Sequence, residues 1–152
     1  MNQSVADELL AVHQYMYFHI HLDDQGFAPL AALFKRTAIT EMGHVEALAE
    51  RILFLKGDVE MSLAAPVEKI ADPAAMLAKA RQMEESSANA YNQAALECAA
   101  GADAASKQIF ERLIGDEEGH FARQLENIQR FGPSYLALQS FEKAPASEAA
   151  VH

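Results

Sequence analysis

Cysteine occurs once in the 152 residues, at Cys98. That excludes an intrachain disulfide and makes a reducing, cytoplasmic setting the expectation. Basic residues are also scarce: 12 Lys and Arg stand against 22 Asp and Glu, for a formal net charge of −10. Nucleic-acid binding needs clustered positive charge for the phosphates, so this balance argues against it and points to cations as the small partners. No apolar run approaches the roughly 20 residues that span a bilayer. Met1-Asn2-Gln3-Ser4 has neither the basic nor the apolar part of a signal peptide. Proline and glycine number only 5 and 7, and nothing alternates for long with the strand period, which leaves little room for a β fold.

What is abundant is Ala, Leu, Glu, Gln and Met, the composition of an all-α chain. The length suits a single domain with a core of its own, expected over residues 1–141. A first helix is expected from Ser4 as N-cap to the Asp24-Gln25-Gly26 break, with Glu8, Val12, Tyr15, His19 and Leu22 facing inward. A second runs from about Pro29 to Lys56, turning Phe34, Thr37, Glu41, His44, Leu48, Ile52 and Leu55 inward, and Gly57 stops it. The segment 58–72 carries Pro66 and no helical period. Its length suits a long crossover along an antiparallel four-helix bundle. Asp72-Pro73 starts a third helix, which reaches Ala100 with Leu77, Ala80, Glu84, Ser87, Tyr91, Ala94 and Cys98 on one stripe. After Gly101, Asp103 caps a fourth helix that presents Phe110, Leu113, Glu117, His120, Gln124, Ile128 and Phe131 and ends at Gly132-Pro133. Residues 134–141 are expected to form a short fifth helix, and 142–152 a disordered polar tail.

Two short stretches carry the chemistry. Glu41-Met42-Gly43-His44 returns in kind as Glu117-Glu118-Gly119-His120. The i,i+3 spacing puts Glu and His on one helix face, where both can grip one metal ion. Each copy follows another glutamate at the same distance: 33 residues separate Glu8 from Glu41 and Glu84 from Glu117. Tyr15 and Tyr91 each lie seven residues after the leading glutamate. The two hairpins therefore read as copies of one unit, related by a pseudo-twofold axis through the site. Four glutamates on otherwise apolar stripes are costly unless something compensates them. Two divalent cations balance Glu8, Glu41, Glu84 and Glu117, with neutral His44 and His120 completing the coordination. Mixed carboxylate and imidazole ligands suit iron or manganese and tolerate zinc. Glu41 and Glu117, each one turn from its histidine, are the expected bridging carboxylates; Glu8 and Glu84 are the expected terminal ligands. Tyr15 and Tyr91 are candidate hydrogen-bond donors to those glutamates.

Plainer readings stand beside these. Glutamate is common in helices, but chance does not readily duplicate the spacing. Tyr15 and Tyr91 fit ordinary core aromatics equally well. His19 reads as a hydrogen-bonded core histidine, His13 and His21 as surface or subunit contacts, and Cys98 as a small buried hydrophobe. Glu85, Glu111, Asp116 and Glu118 read as solvated acids that, on a cavity wall, attract cations.

The chain resembles the bacterioferritins through Glu8-Leu9-Leu10-Ala11-Val12-His13-Gln14-Tyr15, Ile39-Thr40-Glu41-Met42-Gly43-His44, Glu50-Arg51-Ile52-Leu53-Phe54-Leu55-Lys56-Gly57 and Gly115-Asp116-Glu117-Glu118-Gly119-His120. The resemblance runs from about Ala6 to Phe141 and implies a ferritin-like bundle with its di-iron ligands at Glu8, Glu41, His44, Glu84, Glu117 and His120. It further implies a ferroxidase that oxidises Fe(II) with O2 or H2O2 and stores the product as mineral in a hollow homo-oligomeric shell, usually of twenty-four chains. Many members bind haem b between twofold-related subunits, and Met42 falls at the axial haem methionine. A rubrerythrin-like peroxidase is the competing enzyme reading. Against it, Ser87 stands where an extra carboxylate is expected, and there is no Cys-x-x-Cys pair. A metal-stabilised helical assembly without catalysis is the third.

Overall fold

The computed structural model describes residues 1–130. Four helices make it up, α1 (Asn2–Asp24), α2 (Ala28–Phe54), α3 (Pro73–Ala100) and α4 (Ala104–Arg130), with no strand among the described residues. Phe131, the Gly132-Pro133 stop, the expected fifth helix at 134–141 and the tail at 142–152 lie outside the described residues, as do the side chains of Gln124 and Ile128. Within the bundle α1 packs along α2 and α3 along α4, and the two hairpins meet through α1–α3 and α2–α4 contacts. Tyr15 meets Ala80 while Glu8 meets Tyr91, and Arg51 meets Asp103 while His44 meets Asp116. Both cross-hairpin pairings are therefore antiparallel.

This order makes α2 and α3 parallel, so the chain between them must travel the length of the bundle. It does so without helix, tied to α1. The Asn2 side chain donates to Asp58 O and accepts from Glu60 N, and Ala64 N donates to Ala6 O. Gln14 exchanges two bonds with the Glu68 backbone, at 2.9 and 2.8 Å. This explains why Gln14 is buried: its amide acts as a backbone mimic and leaves no polar group unpaired.

The expected helix limits shift slightly. α1 starts at Asn2 with Met1 as N-cap, not at Ser4, because the bonds of Asn2 to the crossover hold the first turn in place. α3 begins as expected, with Asp72 accepting from Ala75 N at 2.9 Å. Asp103 accepts from Ser106 N at 3.0 Å and caps α4. At the C-terminal ends, Phe27 N bonds to Leu22 O, Gly57 N to Ile52 O and Asp103 N to Cys98 O, the long bond of the Schellman motif. Only the first places glycine, Gly26 at φ 86°, in the left-handed position. Lys56 (φ 64°) and Ala102 (φ 56°) fill it in the others. Gly57 is therefore not the left-handed residue. It allows close approach instead, since a Cβ there would meet Ile52 Cγ2 at 3.0 Å. Leu55, expected inside, is the C-cap of α2 and half exposed.

Two apolar clusters fill the ends of the bundle. Phe18, Leu22, Leu30, Phe34, Met76 and Leu77 pack at one end, and Val5, Leu48, Ile52, Phe110 and Leu113 at the other. Each fully buried Phe or Leu contributes about 2 kcal/mol, the term that offsets a polar layer between them. On α1 the inner positions are 8, 11, 15, 18 and 22. Val12 and His19 sit on the neighbouring flank, half-buried, with His19 Nδ1 2.8 Å from Ala31 O. His13 and His21 are exposed, as expected. Cys98 is only half-buried, because the α3 face turns Ala95 inward beside it.

Candidate metal centre

The polar layer is made of the six residues singled out from the sequence. α1 supplies Glu8, α2 supplies Glu41 and His44, α3 supplies Glu84, and α4 supplies Glu117 and His120, all between 1% and 4% exposed. Their ligand atoms form two groups, each within 4.8 Å. One holds Glu8, Glu41, His44 and Glu117; the other holds Glu41, Glu84, Glu117 and His120. Glu41 and Glu117 belong to both. Each group has the size and donor set to hold one metal ion. The histidine rings face each other with centroids 6.1 Å apart.

The hydrogen bonding supports that use. Both carboxylate oxygens of Glu41 and Oε1 of Glu117 are buried with no hydrogen bond, although His Nδ1 atoms lie 2.8, 3.1 and 3.2 Å away. Those nitrogens are near but out of line for N–H donation. Lone pairs gathered about a common space, and not aimed at one another's protons, are what a cation satisfies.

Protons balance the layer when no metal is bound. Burial pushes the Glu8 carboxyl up to about 7, against the pull of His44. Burial also raises Glu117, with repulsion from Glu41, Glu84 and Glu8 outweighing the His44 contact, to about 10. For Glu41, burial acts the same way but is overcome by His120 and His44, and its carboxyl falls to about 2. Burial alone would deprotonate the histidines. Contacts with Glu117, Glu41 and Glu8 instead push His44 far upward, and contacts with Glu41 and Glu84 push His120 up to about 10. The metal-free layer therefore holds the ionised Glu41 carboxylate between two imidazolium groups.

The tyrosines do more than pack. Tyr15 OH donates to Glu84 and Tyr91 OH donates to Glu8, so each phenol crosses from its own hairpin to the leading glutamate of the other. Burial raises both phenols well above the ordinary value, with the nearby glutamates adding to the shift, so they remain donors. Asp116 is more than the solvated acid expected from the sequence. It is half exposed, but its Oδ2 lies 3.2 Å from His44 Nε2. Nothing in the sequence pattern signals this contact, because the matching position before Glu41 is Thr40. Met42 points away from the centre. It is 56% exposed and lines an outer groove of about 600 Å³ with Leu9, Ile39, Val45 and Met61.

With this geometry in hand, comparison with known proteins is direct. Residues 1–131 match the ferritin-like domain family. The chain is 34% identical to the bacterioferritin of Rhodobacter capsulatus over 152 residues, covering 97% of this chain and 94% of the relative. It is 35% identical to that of Desulfovibrio desulfuricans over 141 residues, covering 90% and 78%. The crystal structure of the D. desulfuricans bacterioferritin, with its diiron site in different catalytic states, superposes with a TM-score of 0.85 at 32% identity, covering 99% of this chain and 89% of that one. That of the R. capsulatus bacterioferritin, with a metal-free dinuclear site and a haem iron in a crystallographic special position, gives 0.85 at 33% identity, covering 98% and 93%. The chain thus belongs to the bacterioferritin family.

Proposed function

We propose that the protein is a ferroxidase that stores iron. It oxidises Fe(II) with O2 or H2O2 at the centre and deposits the product as mineral within a shell of its own copies, twenty-four by analogy with the family. The observation that carries this reading is the pair of buried four-residue groups sharing Glu41 and Glu117. One iron would take Glu8 and His44, the other Glu84 and His120, with Glu41 and Glu117 common to both. Iron supplies the electrons, one from each ion. The chain's own residues hold the pair, screen it from bulk water, and give up the protons held by Glu117, Glu8 and the histidines as metal binds. Manganese or zinc suits the same donors. No further carboxylate joins either group among the described residues, which favours this reading over a rubrerythrin-like peroxidase.

The groove around Met42 fits haem b in donor and lining: the Met42 thioether stands amid Leu9, Ile39, Val45 and Met61. There Met42 would hold the haem through its thioether at a twofold interface, and the haem would supply electron transfer.

Aerobic ferrous titration followed by absorbance and light scattering tests the proposal. Fast oxidation should saturate at two irons per chain and continue into a soluble mineral held in a large particle. A small oligomer that precipitates iron would overturn storage. Glu41→Ala should abolish the fast phase; an unchanged initial rate would show that the centre lies elsewhere.

A further inference from the structure

On the flank of the metal centre beside His120, α2 and α4 leave a cavity of about 290 Å³ lined by Leu33, Arg36, Thr37, Thr40, His120 and Arg123. In a chain with a net charge of −10, this lining contains two guanidinium groups and no carboxylate. Arginine cannot shed its charge. Neither Arg36 nor Arg123 makes an ion pair among the described residues. Arg123 folds back along its own helix, placing Nη1 3.8 Å from where a side chain at Gly119 would begin. Its charge thus lies one residue from His120. The hydroxyls of Thr37 and Thr40 donate to Leu33 O at 3.1 Å and Arg36 O at 3.2 Å, so, besides the His120 ring, the donors left for a ligand are the two guanidinium forks.

The matching flank on the other side of the pseudo-twofold is built differently. There Asp116 occupies the position of Thr40 and closes against His44 Nε2 at 3.2 Å, and Ala47 occupies the position of Arg123. One flank has an acid bonded to its histidine. The other has lost the acid, gained an arginine and opened a cavity.

We infer that the cavity between α2 and α4 is a binding site for a tetrahedral oxyanion of the inorganic phosphate class, gripped by Arg36 and Arg123. Fork-shaped, permanently charged donors match such oxygens in geometry and sign. The volume admits one such anion with several waters, at about 30 Å³ per water. The site itself stands on charge and shape. Only its use rests on the proposed function: oxyanion oxygens are hard ligands for ferric iron leaving the centre next door.

The test is a calorimetric titration of the metal-free protein with inorganic phosphate at low ionic strength, paired with phosphorus NMR line broadening. One saturable site per chain is expected, with a dissociation constant near or below about 1 mM. Arg36→Gln and Arg123→Gln should each weaken it about tenfold, the loss of one charge-assisted contact. Thr40→Asp, which copies the acid of the matching flank, should abolish binding. Arg81→Gln, whose side chain lies 6.0 Å over the Phe121 ring outside the cavity, should leave it unchanged. Denaturation midpoints identify any variant that has lost the fold, and the conclusion then rests on the others. No saturable binding below about 10 mM phosphate, or binding that the arginine and Thr40 substitutions leave unmoved, would overturn the inference. Because no iron is present, a failure here is separate from a failure of ferroxidase activity.

Discussion

The two halves of the centre carry the same ligands in different surroundings. Glu8, Tyr15, Glu41 and His44 stand in one hairpin as Glu84, Tyr91, Glu117 and His120 stand in the other, at a constant offset of 76 residues. Yet Glu41 lies within 2.8 and 3.1 Å of both histidines, whereas Glu117 approaches only His44, at 3.2 Å. That difference decides which carboxylate is ionised in the metal-free protein, Glu41 at about 2 and Glu117 at about 10. Outside the ring of ligands, His44 is braced by Asp116, and His120 borders an arginine-lined cavity. A repeated motif fixes what can bind; its neighbours decide how alike the two half-sites are.

The sharpest way to break the comparison is to neutralise each shared carboxylate in turn. In the metal-free protein at pH 7, Glu41→Gln leaves two buried imidazolium groups without their common anion and should cost about 3 kcal/mol. Glu117→Gln replaces a carboxyl that is already neutral and should change stability by less than about 1 kcal/mol. Denaturant midpoints for the two variants measure the difference, and equal losses would show that the proton does not reside where the contacts place it. Next in size is the brace on His44. Asp116→Ala should weaken metal binding by about tenfold to a hundredfold, because it frees the imidazole to turn. Thr40→Ala, at the matching position, should have no such effect. Cobalt(II) absorbance titrations measure both, and equal losses would remove the asymmetry.

The pH dependence follows from the same contacts. Glu117 in the folded chain holds its proton up to about 10, against an ordinary 4.5, so raising the pH between those values favours the unfolded, ionised carboxylate. His120, raised to about 10 from 6.5, contributes stability that is full below 6.5 and lost as pH rises through 10. Glu41, depressed to about 2, works in the opposite sense: its contribution is present above 4.5 and lost as pH falls through 2. The melting temperature of the metal-free protein should therefore fall from pH 7 to pH 10, while the zinc-loaded protein, its protons already displaced, should change much less. Parallel curves for the two forms would contradict the proton balance described above.

The smallest effects belong to the helix ends. Lys56→Gly and Ala102→Gly should each stabilise by up to about 1 kcal/mol by relieving left-handed backbone, whereas Gly26→Ala should cost about as much. Thermal melts of the three variants test the sign.

How far the sequence revealed this molecule depends on the kind of signal. Periodicity and spacing were enough for the four helices, the crossover and the six converging side chains, because a ligand pair three residues apart on a helix has only one face to share. Asp72 and Asp103 were legible as caps because their position relative to the helix start defines the bond they make. The first turn of α1 was not, since it depends on Asn2 reaching the crossover 56 residues on. Choosing Ala11 over Val12 for the core was beyond periodicity as well, since both lie within one turn of Glu8. Asp116 and the Arg36–Arg123 cavity exist only when α2 and α4 are set side by side. In the sequence Asp116 reads only as a solvated acid, and the two arginines are charges on separate helices.

The crossed phenols have a consequence for the fold itself. Tyr15 reaches Glu84 and Tyr91 reaches Glu8, so the two hairpins are pinned at two levels about seven residues, or roughly 10 Å, apart along the bundle. Leucine against leucine tolerates a slip of one helical turn, about 5.4 Å, with little change in apolar contact. A slip here would strand two phenols and two carboxylates in the dry interior at once. The polar layer, expensive as a source of stability, therefore sets the register of the bundle before any metal arrives.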